Sequence, residues 1–113
     1  MRITQEEHND TLVVGLEGRF DASSAPEAED VFRQVLNTDF KNILLDFGQV
    51  EYISSGGIRA IIMLSRGCER EHKRMKLCSL SPFVKQVFET SNLANIFDIY
   101  PDRQEGLDAF NAR

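Results

Sequence analysis

Two serines followed by two glycines, Ser54-Ser55-Gly56-Gly57, stand in the stretch VEYISSGGIRAII at residues 50–62, between a run of strand character and one of helical character. If Ser54 or Ser55 caps the following helix, free N–H groups and the positive end of the helix dipole lie beside a hydroxyl. Such a place favours a phosphate. The same four residues also make a plain turn, in which a cap is followed by small residues that allow close packing. Nucleophilic catalysis fits them poorly. A nucleophile elbow needs Gly-x-Ser-x-Gly, and neither serine has the upstream glycine. The only imidazoles, His8 and His72, fall in a predicted N-terminal hairpin and at the far end of the helix that the serines begin, so no triad is in view. No Gly-Lys-Ser/Thr follows a glycine at phosphate-loop spacing, and the dinucleotide fingerprint is absent as well. Catalytic residues, a metal and a cofactor are therefore not expected.

Composition narrows the choice further. A chain of 113 residues with 42% apolar content fits one domain over residues 1–113, because it buries a real core without surplus for a second. A net charge of −5 argues against nucleic acid, whose binders gain affinity mainly by neutralising phosphates. Another protein or a small ligand is the expected partner. Cys68 and Cys78 are too few for a disulfide framework and form no Cys/His cluster of metal-ligand spacing, so they read as reduced, buried thiols. The start, Met1 to Thr11, is polar, and no apolar run approaches the roughly 20 residues of a membrane span. A cytoplasmic protein is the expectation.

The elements that must position the serines follow from periodicity. Arg2 to Glu7 reads as an edge strand, HND at 8–10 as a turn, and Thr11 to Leu16 as the second arm of a hairpin. The period then changes. Ser24 with Glu27 has the capping-box spacing, Pro26 suits a first helical turn, and Ala28, Val31, Phe32, Val35 and Leu36 recur at helical spacing, which predicts a helix over 26–37. NILLDF at 42–47 is apolar almost throughout, as a central strand covered on both faces would be. After the serines, Ile58, Ile61, Ile62, Ser65 and Cys68 mark one helix face, and Arg59, Met63, Arg66 and Arg70 mark another. MKLCSL at 75–80 reads as a strand, Ser81-Pro82 as the start of a helix with Phe83, Val84, Val87 and Phe88 inward, and NIFDIY at 95–100 as a short strand. Pro101-Asp102 with Glu105 opens a last helix carrying Leu107 and Phe110. Strand and helix thus alternate after a hairpin. That order predicts an α/β fold: a mostly parallel sheet of four to five strands with an N-terminal hairpin strand and about four helices packed on it.

Three segments in this order, LEGRFDASSAPE, ILLDFGQVEYISSGGIRAII and SLSPFVKQVFETSNLANIF, together resemble the STAS domain, named for sulfate transporters and anti-sigma-factor antagonists. The resemblance covers nearly the whole chain and is strongest to the free-standing bacterial antagonists. It implies that Ser55, second in the motif that starts the helix, is a regulatory phosphoserine. It also implies a partner that is both anti-sigma factor and serine kinase, of the histidine-kinase-like ATPase fold, and a metal-dependent serine phosphatase that restores the binding form. Such a protein is a monomer when free and binds its partner unmodified. Where the family has an acidic residue before the phosphoserine, this chain has Ser54, an alternative acceptor; Gly56 stands where Ser or Ala is common. Asp21 matches the acidic residue of the family's G-x-x-D loop. Asp46 reads either as a carboxylate capping nearby N–H groups or as a recognition residue. The arginine stripe is either a solvated face or, with Met63, a docking surface. The expected partner-binding set is Asp21, Ser54, Ser55, Gly56, Gly57, Arg59 and Met63. Two rivals remain at this point: a STAS subunit of a transporter or sensory complex without a phosphoswitch, and a nucleotide-binding domain, since a helix N-terminus can hold phosphate without a named motif.

Overall fold

The computed structural model describes residues 1–111, so the last two residues of the domain expected over 1–113 lie outside the described residues. The elements run β1 (Arg2–His8), β2 (Thr11–Phe20), α1 (Ala25–Leu36), β3 (Asn42–Ile53), α2 (Ser55–Arg70), β4 (Arg74–Cys78), α3 (Pro82–Thr90), β5 (Ile99–Tyr100) and α4 (Arg103–Asn111). The five strands lie in sequence order across one sheet. β1 is antiparallel to β2, and every later pair is parallel, which makes the sheet mixed. Asn9 takes a φ of 55° in the two-residue turn between His8 and Thr11, a conformation asparagine adopts readily.

Each parallel crossover steps one strand in the same direction, and right-handed connections then put α1, α2 and α3 on one face. Leu12, Val14, Leu16, Ile43, Leu45 and Phe47 bury that face against Phe32 and Val35 of α1, Ile61 and Leu64 of α2, and Val84 and Phe88 of α3. Among the described residues the opposite face is covered by α4, in a small cluster of Val13, Leu44, Cys78 and Phe110. Alternate residues of β2 and β3 thus supply both cores, which is why NILLDF reads as continuously apolar.

Several expectations need correction. β2 runs four residues past Leu16, and β3 six residues past Phe47. The added segments pair with each other, Glu17 with Gln49, Gly18 with Val50, Arg19 with Tyr52 and Phe20 with Ile53, beyond the end of β4. Register shifts between Gly15 and Glu17 and between Gly18 and Arg19 break the period-two pattern, so the extension looks like loop in the sequence. β5 holds two residues rather than six, because Leu93 to Phe97 close hydrogen-bonded turns first. On α2 the buried residues are Gly57, Ala60, Ile61, Leu64, Gly67 and Cys68, while Ile58, Ile62 and Ser65 are only half-buried. The core-facing stripe is therefore rotated toward the small residues, and Gly67 lets Leu36 of α1 lie where a Cβ would be, 2.3 Å away. Phe83, expected inward, is 47% exposed.

The capping box at Ser24 and Glu27 does not form. Ser24 Oγ instead donates to the Arg19 carbonyl at 2.8 Å and accepts from the Asp21 amide at 3.0 Å. Two other caps appear as read: Ser81 accepts from the Val84 amide at 3.4 Å, and Asp102 from the Glu105 amide at 2.8 Å. Asp46 serves as a structural pin. One carboxylate oxygen accepts from the Gly48 amide at 2.8 Å, and the other takes Arg103 Nε at 2.8 Å, while Arg103 also pairs with Glu6. This ties the start of α4 to β1 and β3.

Cys68 and Cys78 are both free and 2% and 0% exposed. Burial pushes each thiol up to about 11, so neither is a thiolate near neutral pH. An aromatic disulfide reagent at pH 8 should label the folded chain only as fast as it opens, and both thiols at once in denaturant. Rapid stoichiometric labelling of the folded chain would contradict this burial.

Candidate functional site

Because β2 and β3 overrun the sheet, their ends carry two loops to the same place. The Ser54 amide donates to the Phe20 carbonyl at 2.9 Å, continuing the β2–β3 ladder one residue further. Ser54 is extended (φ −116°, ψ −179°) and its carbonyl accepts the first intrahelical bond, from the Ile58 amide at 3.0 Å. Ser54 is thus the N-cap in backbone terms, yet its hydroxyl caps nothing. The amides of Ser55, Gly56 and Gly57 precede that first bond, and no acidic residue stands in the first turn. The positive end of a 16-residue helix is left without a countercharge on its own chain segment, directly under the exposed Ser55.

The two glycines are there for closeness. A Cβ on Gly57 would lie 2.6 Å from the Phe20 carbonyl oxygen and 2.9 Å from the Phe20 ring. One on Gly56 would lie 2.9 Å from Ala22 Cα and 3.0 Å from its amide nitrogen. The β2–α1 loop is therefore in backbone contact with the first turn of α2, which sets Asp21 to Ser23 next to Ser55. Within that loop the Asp21 carboxylate accepts from the Ser23 hydroxyl at 2.8 Å and from the Ser23 and Ser24 amides at 3.1 and 3.2 Å. The Ser23 hydroxyl, the two amides and Arg19 together hold the Asp21 carboxyl below the ordinary carboxylate range. The loop that meets the first turn of α2 at Gly56 thus carries an ionised carboxylate.

Of the predicted site residues, Asp21, Ser54, Ser55, Gly56 and Gly57 form this one patch. Arg59 is exposed one turn along α2, followed by exposed Arg66 and Arg70. Met63 differs from expectation: it is half-buried and packs against the main core rather than standing clear of it. Both histidines lie at the other end of the parallel strands, His8 beside the start of β2 and His72 just before β4, so no imidazole stands near Ser55. Among the described residues no cluster of His, Cys, Asp and Glu could hold a metal.

Sequence reading missed a second feature at this end. The Arg19 guanidinium lies 4.1 Å over the Tyr52 ring, Tyr52 stacks on Phe83 with centroids 5.7 Å apart and planes 16° from parallel, and Arg19 Nε stands 3.7 Å from the Asp21 carboxylate. Arg19 and Tyr52 sit in segments that looked like loop, so nothing in the pattern put them on adjacent strands.

The family model of the STAS domain matches residues 2–106. The chain belongs to the STAS domain family. A relative from Bordetella bronchiseptica named as an anti-sigma factor antagonist, BtrV, is 27% identical over 110 residues, 97% of this chain and 95% of that protein. Among solved structures, one from Thermotoga maritima titled as an anti-sigma factor antagonist superposes with a TM-score of 0.91 at 21% identity, covering 97% of this chain and 95% of that one. The Bacillus anti-sigma factor antagonist SpoIIAA is similar in its unphosphorylated form (TM-score 0.81, 20% identity, 97% and 96% covered) and in its phosphorylated form (0.75, 20%, 96% and 99%). These likenesses establish the STAS fold for the chain. No helix among the described residues is long and apolar enough to cross a membrane.

Close approach at Gly57 makes a sharp prediction for this STAS domain. Gly57→Ala forces a methyl against the Phe20 carbonyl and should cost about 1–3 kcal/mol, the usual range for overpacking. Ser55→Ala, at an exposed position, should stay within about 0.5 kcal/mol of the parent. Urea melts of the three proteins check both; equal midpoints for Gly57→Ala and the parent would mean that the first turn of α2 does not lie against the end of β2.

Proposed function

We propose that this STAS domain is an anti-sigma factor antagonist, a protein-binding switch that engages an anti-sigma factor kinase when unmodified and is turned off by phosphorylation of Ser55. The observation that carries the reading is the exposed Ser55 at the uncapped positive end of α2, whose first turn packs closely against the loop that holds Asp21. A serine so placed is an acceptor. No imidazole stands near to make it a nucleophile, and in this reading the domain supplies no catalysis of its own.

The physics of the switch is local. Phosphorylation brings about −1.5 to −2 charges and three acceptor oxygens to Ser55. Within the domain the helix end favours that charge by roughly 0.3 to 1 kcal/mol. The Asp21 carboxylate opposes it, so the net effect on folding is small. For a partner the balance is different: a surface shaped to a neutral hydroxyl must desolvate or repel an anion, and an unpaired interfacial charge costs several kcal/mol. Asp21, Ser54, Ser55, Gly56 and Arg59 form the docking patch in this reading; Gly57, expected in that set, is buried against Phe20 and supports the patch from beneath, as half-buried Met63 supports the α2 face. The partner is a serine kinase of the histidine-kinase-like ATPase fold, with a metal-dependent serine phosphatase to reverse the mark, all in the cytoplasm where ATP is available. Ser54 is the alternative acceptor. Its half-buried position and its role in the ladder favour Ser55.

The test pairs mapping with two equilibria. After incubation with the kinase and ATP, phosphate should be found on Ser55 and be absent from the Ser55→Ala protein. The modified chain should melt within a few degrees of the unmodified one and yet lose at least about a hundredfold in affinity for the kinase, the equivalent of roughly 3 kcal/mol. Phosphate confined to Ser23 or Ser81, or an affinity indifferent to the modification, would defeat the proposal.

A further inference from the structure

Phe83 is one of two large apolar side chains widely exposed among the described residues, and the other, Ile96, lies in the α3–β5 loop. Phe83 stands at the start of α3, yet it is not a loose surface residue. Its ring is stacked on Tyr52, whose ring also carries Arg19, which in turn is paired with Asp21. A side chain already fixed in this way has little rotamer freedom left to lose on binding, the property that distinguishes an anchor from incidental apolar surface.

Beside it, Phe83, Gln86, Val87, Thr90 and Ser91 line an open cleft of about 290 Å³, large enough for a bulky side chain. None of the five is ionisable. The wider cleft along β5 carries Lys85, Glu89 and Asp98, and the one beside the β1–β2 turn carries His8, Asp10 and Asp108. The Phe83 cleft thus complements an uncharged apolar group where its neighbours would select polar or charged ones. It is also continuous with the patch at Ser55: Phe83 leads through Tyr52 and Arg19 to Asp21, and the next residue, Ala22, touches Gly56.

We infer that the exposed face of Phe83 and the cleft it forms with Val87 are the apolar anchor of the docking surface, receiving one large uncharged side chain of the anti-sigma factor while Ser55 acts as the switch. The inference rests on the reading given under Proposed function. Division of labour follows from the chemistry: the anchor contributes affinity through apolar burial, and the phosphate at Ser55 vetoes it electrostatically without touching Phe83.

The experiment titrates the purified anti-sigma factor kinase with four forms of the full chain: unmodified, phosphorylated, Phe83→Ser and Thr90→Arg. Thr90 is exposed at the last position of α3, where a cation suits the helix dipole, so Thr90→Arg charges the cleft and leaves the aromatic stack intact. Both variants should melt as cooperatively as the parent and bind at least about tenfold more weakly, the loss expected of a residue that carries binding energy. If Thr90→Arg and Phe83→Ser bind like the parent while phosphorylation still abolishes binding, the anchor is overturned and the switch stands. If the unmodified chain does not bind the kinase at all, both fall together. Sedimentation of the free chain covers the other occupant: a dimer that Phe83→Ser converts to monomer would assign the cleft to a second copy and overturn the inference.

Discussion

The contact of two backbones, Gly57 against the carbonyl of Phe20, is what the rest of this site depends on. Without a Cβ at residue 57 the first turn of α2 sits directly on the end of β2, and the Ser54 amide can then close the ladder to Phe20. That bond fixes the extended conformation of Ser54, which in turn fixes where the helix begins and which serine is its first exposed residue. Gly56 repeats the device one residue earlier against Ala22. A methyl at either position would push the Asp21 loop away from Ser55 and separate the charges that the site brings together.

Electrostatics around the serines are arranged without strain. Asp21 is kept ionised by hydrogen bonds from its own loop, and α2 offers three amides that nothing on its own segment caps. Arg19 screens Asp21 on one side and is itself laid over Tyr52, which keeps its guanidinium near the loop. The ion pair between exposed side chains is worth little to stability. Its importance is positional, because it joins the acidic loop to the aromatic stack and makes one continuous face out of residues from β2, β3 and α3. The two buried lysines do structural work elsewhere: Lys73 Nζ donates to the carbonyls of Thr38 and Phe40 at 2.7 and 2.6 Å, and Lys76 meets Asp98 at 3.2 Å.

The alternating order of elements, the hairpin and the helix starting at the serines are legible in the chain, whereas the grouping of Asp21 with Ser55 comes with the resemblance to the STAS domain. The first three have local signals: turn residues at 8–10, helical spacing after Pro26 and Pro82, glycines where a helix must lie close. The features without a local signal are long-range. The last residues of β2 and β3 hide behind register shifts, so Arg19 and Tyr52 look like loop residues, and only pairing across 33 positions makes them neighbours. Apolar periodicity misplaces the α2 core stripe because Gly57, Ala60 and Gly67 are buried for their smallness, which that periodicity undervalues. Spacing alone puts Phe83 inward, whereas its partner Tyr52 holds it at the surface. Resemblance to the STAS domain supplied the role of Ser55, which no spacing rule could have given.

The central claim is that the domain is a rigid frame around a local charge switch. Amide chemical shifts of the isotopically labelled chain, compared before and after phosphorylation of Ser55, address it most directly. The account predicts large changes confined to Asp21–Ser24 and Ser54–Arg59, with the amides of β4, α4 and the far end of the sheet unmoved. Shifts spread through the core, or an Asp21 loop that does not sense the phosphate, would contradict it.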